Sequence, residues 1–146
     1  MLTKMNHEQV SIFWPFVKHA ILNSQSIPKS NQDGFANDIL QGILAGNTQC
    51  WLEYNREEEE VKPYGILITT ILKDIIYNVP FLYLATAYAF RKLSDEELQE
   101  DFKVIKQFAV DTNCEYIKSN TGNERIKQVF SLIGMIPTET IYRMDL

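Results

Sequence analysis

The chain has 146 residues, 45% of them apolar, and a formal net charge of −5. This length suits one compact domain over residues 1–146, and the negative charge argues against a surface for nucleic acid, which needs clustered Lys and Arg. The longest apolar run, "GILITTIL" at 65–72, is far short of the roughly 20 residues that span a membrane. We therefore expect a soluble cytoplasmic protein with neither nucleic acid nor membrane as a partner.

Two helices are predicted at the start of the chain. The stretch 6–24 places apolar side chains at helical spacing, and Pro15 inside it predicts a kink or a restart of the helix. A second apolar pattern, which includes Phe35, Ile39 and Ile43, predicts a helix that ends at Gly46.

Three β-rich runs follow, at 50–54, 64–72 and 80–90. The charged segment "NREEEEVKP" at 55–63 separates the first two and predicts an exposed hairpin loop. The third run, "PFLYLATAYAF", is apolar enough to predict a strand inside the sheet.

The last third of the chain alternates helices and strands. Ser94 and Glu97 have the spacing of a capping box, which predicts that a helix begins there and buries the side chains around Ile105. A strand at 114–120, a helix ending at Gly134 and a closing strand at 137–146 complete the order. Two helices, three strands and this alternating end predict an α/β (α+β) fold, with helices covering a mixed sheet.

Cys50 and Cys114 lack the spacing of a metal or redox motif and lie in strand-like runs, which indicates reduced, buried thiols. The two histidines, His7 and His19, belong to the first helix, so we expect no metal site.

A family resemblance rests mainly on "NERIKQVFSLIGMIPTETIYRM" at 123–144. This segment and the order of elements resemble the GNAT superfamily of acyl-CoA N-acyltransferases, whose late helix often reads N-x-x-A-x-x-x-Y-x-x-x-G-F. The residues at the patterned positions are Asn123, Ile126, Phe130, Gly134 and Met135. The opening "SIFWPFVKHAI" is similar to small divergent members encoded by tailed bacteriophages.

The resemblance implies a central sheet flanked by about four helices, acetyl-CoA as the cofactor, and transfer of its acetyl group to an unidentified amine. It assigns cofactor binding to residues after the central strand and in the late helix, namely Ala87, Tyr88, Ala89, Phe90, Arg91, Lys92, Asn123 and Phe130. Glu53 and Tyr88 are the catalytic candidates, although the alternation around Glu53 predicts that it faces solvent.

Two departures from the family pattern favour a different function. The family writes a glycine-rich loop after the central strand, where "FRKLSDEELQ" has no glycine and many acids. Phe130 replaces a tyrosine whose hydroxyl protonates the leaving thiolate, and phenylalanine donates no proton. The substitutes in the sequence are Tyr83, Tyr88, Tyr116 and Tyr142.

The alternative function is therefore a catalytically degenerate member that acts as an interaction or virion-associated phage protein. In either case the apolar closing strand predicts an edge on which a homodimer would pair.

Overall fold

The computed structural model describes residues 1–24, 31–55 and 61–144. The elements in chain order are β1 (Leu2–Lys4), α1 (His7–Ser24), α2 (Gln32–Ala45), β2 (Thr48–Tyr54), β3 (Pro63–Lys73), β4 (Pro80–Ala89), α3 (Asp95–Asp111), β5 (Ile117–Lys118) and α4 (Glu124–Leu132). The predicted acidic loop lies outside the described residues at 56–60, but the strands on either side of it pair as a hairpin predicts.

The five strands form one sheet in the order β1-β2-β3-β4-β5. Strands β1, β2, β3 and β4 pair with one another in antiparallel fashion. Strand β5 runs parallel to β4, after the crossover through α3. The predicted mixed sheet with a helical crossover is confirmed.

Helices cover both faces of the sheet because side chains alternate along each strand. Cys50 and Leu52 face α1 and α2. Val17 and Ile21 of α1 are fully buried in this cluster. Trp51 faces the other way, into a smaller cluster built with Ile105 and Ala109 of α3. Burial raises the pKa of the Cys50 thiol to about 12, so it stays a neutral side chain of the core.

The predicted helix ends are confirmed. Gly46 and Gly134 have φ angles of 90° and 85°, a left-handed conformation that costs glycine little. The Ser94 hydroxyl accepts the Glu97 backbone N–H, and the Glu97 carboxylate accepts the Ser94 N–H at 2.8 Å. In contrast, α1 continues through Pro15 without the predicted restart, since buried Val10 and Val17 anchor both sides.

The predicted closing strand is wrong for the residues that are described. Residues 135–144 pair with no strand, and Ile141 and Tyr142 are 62% and 90% exposed. Strand β5, beside which the closing strand would have to pair, has only two residues, so the sheet offers only a short edge there. The homodimer prediction therefore loses the strand on which it was based. Strand β1 was not predicted, because three residues carry no periodic signal.

Candidate functional site: a cleft between two diverging strands

Strands β4 and β5 separate soon after they meet. They pair only at Leu82 with Ile117 and at Tyr83 with Lys118, and the Ser119 hydroxyl then donates to the Leu84 carbonyl at 3.0 Å. Strand β4 continues to Ala89, and among the described residues no strand pairs with it on that side beyond this point. The two segments therefore form a V-shaped opening, which we call the β4–β5 cleft.

The edge of β4 in the cleft is built from small residues. Ala87 and Ala89 are both exposed. The Phe90 N–H donates to the Tyr64 carbonyl of the neighbouring hairpin strand at 2.8 Å. Because alternate residues of an antiparallel pair point their backbone groups to opposite sides, those of Ala87 and Ala89 point away from β3 and towards the cleft.

A cavity of about 590 Å³ opens into this cleft. The sheet forms its floor, and α3 and α4 form two of its walls. Apolar residues of α4 and of the position that follows it line the cavity, namely Ile126, Val129, Phe130 and Ile133. None of them is fully buried, so the apolar face of α4 borders open space rather than a packed core.

The structure brings most of the predicted site residues together. All the predicted cofactor-binding residues except Phe90 line this cavity, and so do the two catalytic candidates. Phe90 instead packs among aromatic rings at the mouth of the cleft.

Glu53 is buried, not solvent-exposed as the strand alternation predicted. The residue is only 3% exposed because the second turn of α3 covers this corner of the sheet. One carboxylate oxygen contacts the amino group of Met1, whereas Oε2 receives no hydrogen bond from an N–H or hydroxyl of the described residues. Asp101 of α3 lies beside it, and burial together with this neighbour raises the pKa of Asp101 to about 7. The Asp101 carboxyl therefore stays protonated up to near neutral pH.

The hydrogen-bonding groups at the start of α3 already have partners within the chain. Arg91 donates to both oxygens of Glu97, at 3.0 Å to Oε2, and its guanidinium lies over the Tyr64 ring. The hydrogen bonds from Arg91 and from the Ser94 N–H lower the pKa of Glu97 to about 2. An incoming phosphate would have to displace this carboxylate to reach Arg91.

Of the four tyrosines considered as proton donors, Tyr88 is the one that lines the cavity. Tyr116 donates to Asp74 at 2.6 Å, and this bond raises the pKa of Tyr116 to about 12. Tyr142 is 90% exposed, and Tyr83 lies where β4 still pairs with β5.

Several solved structures with this architecture are named as acetyltransferases. A predicted acetyltransferase from Clostridium acetobutylicum, solved with acetyl-CoA, superposes with a TM-score of 0.74 at 9% identity, over 99% of this chain and 95% of its own. An aminoglycoside antibiotic 6'-N-acetyltransferase from Acinetobacter baumannii has a TM-score of 0.71 at 12% identity, over 100% and 97%. A GNAT family acetyltransferase from Staphylococcus aureus has a TM-score of 0.65 at 15% identity, over 100% and 98%.

The chain has the fold of the GNAT acetyltransferases. No protein-family model matches its sequence, and a search of curated proteins finds no match. At identities this low, the structural superpositions show the shared GNAT fold alone.

Within residues 1–24, 31–55 and 61–144, no three His, Cys, Asp or Glu side chains are grouped as a metal ion would require. The helices found in the same ranges are all too short or too polar to cross a bilayer.

The sequence reasoning missed Asp101 and Arg125, which also line the cavity. Asp101 had a detectable signal, since it lies three residues after Leu98 and four before Ile105, on the apolar stripe of α3. Arg125 had none, because a basic residue in the first turn of a helix is ordinarily solvated.

Replacing Asn123 with alanine is expected to lower the free energy of unfolding by about 1 kcal/mol, because its side chain accepts the Arg125 N–H at 2.9 Å as the cap of α4. Asn123→Asp keeps an acceptor and should change it by less than about 0.5 kcal/mol. Urea denaturation of both variants measures the difference. Equal losses would show that the cap contributes nothing.

Proposed function

We propose that the protein is an N-acetyltransferase that transfers the acetyl group of acetyl-CoA to an amine. The observation that carries the proposal is the β4–β5 cleft, where β4 presents small exposed residues and outward-pointing backbone groups beside an open cavity. The shared GNAT fold supports the same function. A thioester arm needs such a narrow channel with hydrogen-bonding backbone along one side.

The residues of the cleft fit an extended cofactor arm. Ala87 and Ala89 leave room that a larger side chain would fill, and the half-buried face of α4 offers apolar contact. The part of the cleft that would receive the cofactor's phosphates is less usual, because Arg91 is already paired with Glu97. Lys92 and Arg125 form no ion pair with any described residue, and both line the recess between α3 and α4 together with Asp95. We assign phosphate binding to this cationic pair.

Tyr88 is assigned as the proton donor. Acetyl-CoA, when bound, supplies an acyl group activated as a thioester, and its thiolate needs a proton as it leaves. Phe130 lines the cavity but has no proton to give, whereas Tyr88 of β4 lines the same cavity and carries its hydroxyl at the mouth of the cleft, beside α1.

Glu53 is assigned no direct proton transfer. The register places it beside Gly65, and Gly65 beside Ala89, so two strand spacings, about 10 Å, separate Glu53 from the cleft edge. Its carboxylate is instead paired with the amino group of Met1.

Isothermal titration with CoA and with acetyl-CoA tests the cofactor assignment. We expect binding at micromolar to low millimolar concentrations, and Lys92→Ala/Arg125→Ala should weaken CoA about tenfold without changing pantetheine binding. Lys127→Ala, a cation of α4 that is paired with Glu124, is the control. No heat at millimolar CoA would overturn the function.

The acceptor is tested by thiol release from acetyl-CoA with kanamycin and with spermidine. Kanamycin comes first because one structural neighbour is named as an aminoglycoside acetyltransferase. Spermidine represents a simple polyamine.

The second candidate is a non-catalytic protein that keeps the fold for interaction, as the sequence alternative proposed for a virion-associated phage protein. The Arg91–Glu97 pair and Phe130 favour it, because both replace features on which CoA chemistry depends. This candidate predicts no heat with CoA and co-purification with a protein partner or with virions.

A further inference from the structure

An aromatic group lies at the mouth of the cleft, on the face of β4 opposite α3. It consists of Tyr88 and Phe90 with Phe16 and His19 of α1. The Tyr88 hydroxyl lies 3.3 Å from His19 Nε2, at hydrogen-bond distance. The one tyrosine assigned to the reaction is therefore bonded to a histidine that is exposed to solvent.

The surrounding rings fix the orientation of this pair. The imidazole of His19 stacks on Phe90 with centroids 6.0 Å apart, and Tyr88 meets the same ring edge-on at 5.1 Å. Phe16 packs against the remaining side of Phe90 at 5.8 Å. A side chain held by ring contacts on several sides keeps the geometry that proton transfer requires.

The other histidine has a structural partner. His7 Nε2 lies 3.1 Å from the Ile43 carbonyl, between α1 and α2 and away from the cavity lining. Of the two histidines, His19 is the one connected to the cleft.

We propose that His19 supplies the proton that Tyr88 donates to the leaving thiolate, an inference that rests on the proposed function. The amine nitrogen forms the new C–N bond as the C–S bond breaks, and the electron pair of that bond stays on sulfur. The Tyr88 O–H proton moves to sulfur, and the protonated imidazole returns a proton to the tyrosine oxygen. The amine releases its own proton to water, from which His19 is protonated again, so the step is balanced.

In this scheme Tyr88 is the catalytic residue and His19 is a positioning and proton-supplying residue behind it. His19→Ala should lower kcat about 10- to 100-fold with little change in KM for acetyl-CoA, and Tyr88→Phe should lower it at least as much. Because the two residues act in series, the double variant should be no slower than Tyr88→Phe alone.

The experiment measures thiol release from acetyl-CoA with kanamycin and with spermidine. Millimolar imidazole should restore at least tenfold activity to His19→Ala but none to Tyr88→Phe. His7→Gln is the control and should keep the wild-type kcat. A merely structural role of His19 would not respond to free imidazole.

The outcomes are distinct. If wild type is active and His19→Ala is equally active, or is slow without rescue by imidazole, the proton route is overturned and the acetyltransferase function stands. If wild type transfers acetyl to neither amine and binds no CoA, the function itself fails, and the proton route with it.

Discussion

Replacing Asp101 with asparagine is expected to make the protein more stable above pH 7 and to flatten its stability between pH 4 and pH 7. The folded protein raises the pKa of Asp101 from 3.8 to about 7, chiefly by burial and then by the adjacent Glu53. The folded state therefore holds the proton more tightly than the unfolded chain does. As pH rises from about 4 to about 7, wild type loses stability, and the whole penalty is present above pH 7.

The size of the effect on stability follows from the shift in the pKa of Asp101. A pKa moved from 3.8 to about 7 corresponds to about 4 kcal/mol for a fully desolvated group, and partial exposure of Asp101 reduces this to about 2 kcal/mol. Asparagine stays neutral and still hydrogen-bonds Glu53. Urea denaturation at pH 4, 5.5, 7 and 8.5 measures the slope.

Glu100→Gln is the control for this measurement. Glu100 lies on the same helix, is exposed and pairs with Lys103, so its loss should change the free energy of unfolding by less than about 0.5 kcal/mol at every pH. Equal slopes for wild type and Asp101→Asn would show that folding does not raise the pKa of Asp101.

Local patterns account for much of the fold. The capping box at Ser94 and the stop at Gly46 depend on neighbours within four residues, so the sequence carries them directly. The order of strands along the sheet follows the order in the chain, which short antiparallel connections favour. The residues placed in the cleft came from the family resemblance, and geometry brings all but Phe90 to one cavity.

The failures come from contacts between distant parts of the chain. Glu53 lies two positions after Trp51 and therefore on the same face of β2, and its burial depends on α3 and Asp101, which is 48 positions away. The closing strand has a β-rich composition, but a strand also needs a partner edge, and β5 provides only Ile117 and Lys118. The bond between His19 and Tyr88 joins positions 69 apart, so no spacing rule would connect them.

The acidic start of α3 has a physical explanation that reconciles the fold with the missing glycine-rich loop. Glu97 serves at once as the capping-box acid of its helix and as the counter-ion of Arg91. A glycine-rich loop without this acid would leave the backbone N–H groups of the helix start and the Arg91 guanidinium free to bind a phosphate. Here the chain satisfies them itself, so under the proposed function the cofactor affinity has to come from the cleft and from Lys92 and Arg125.

Replacing Ala87 with tryptophan is expected to abolish detectable CoA binding, lowering the affinity by at least about 100-fold, or about 2.7 kcal/mol. Ala87 is exposed at the edge of β4, where the cleft is open, so the indole fills the channel without disturbing the packed core. Isothermal titration with CoA gives the affinity, and the melting temperature of the variant shows whether the fold is kept.

Ala45→Trp is the matched control, because Ala45 is also exposed but lies at the end of α2, outside the cavity lining. It should bind CoA like wild type. Ala89→Leu, a smaller obstruction two residues further along β4, should weaken binding by an intermediate factor of about 10. If a folded Ala87→Trp binds CoA as tightly as wild type, the cofactor arm does not enter between β4 and β5. The diverging strands would then be a feature of the fold with no part in recognition.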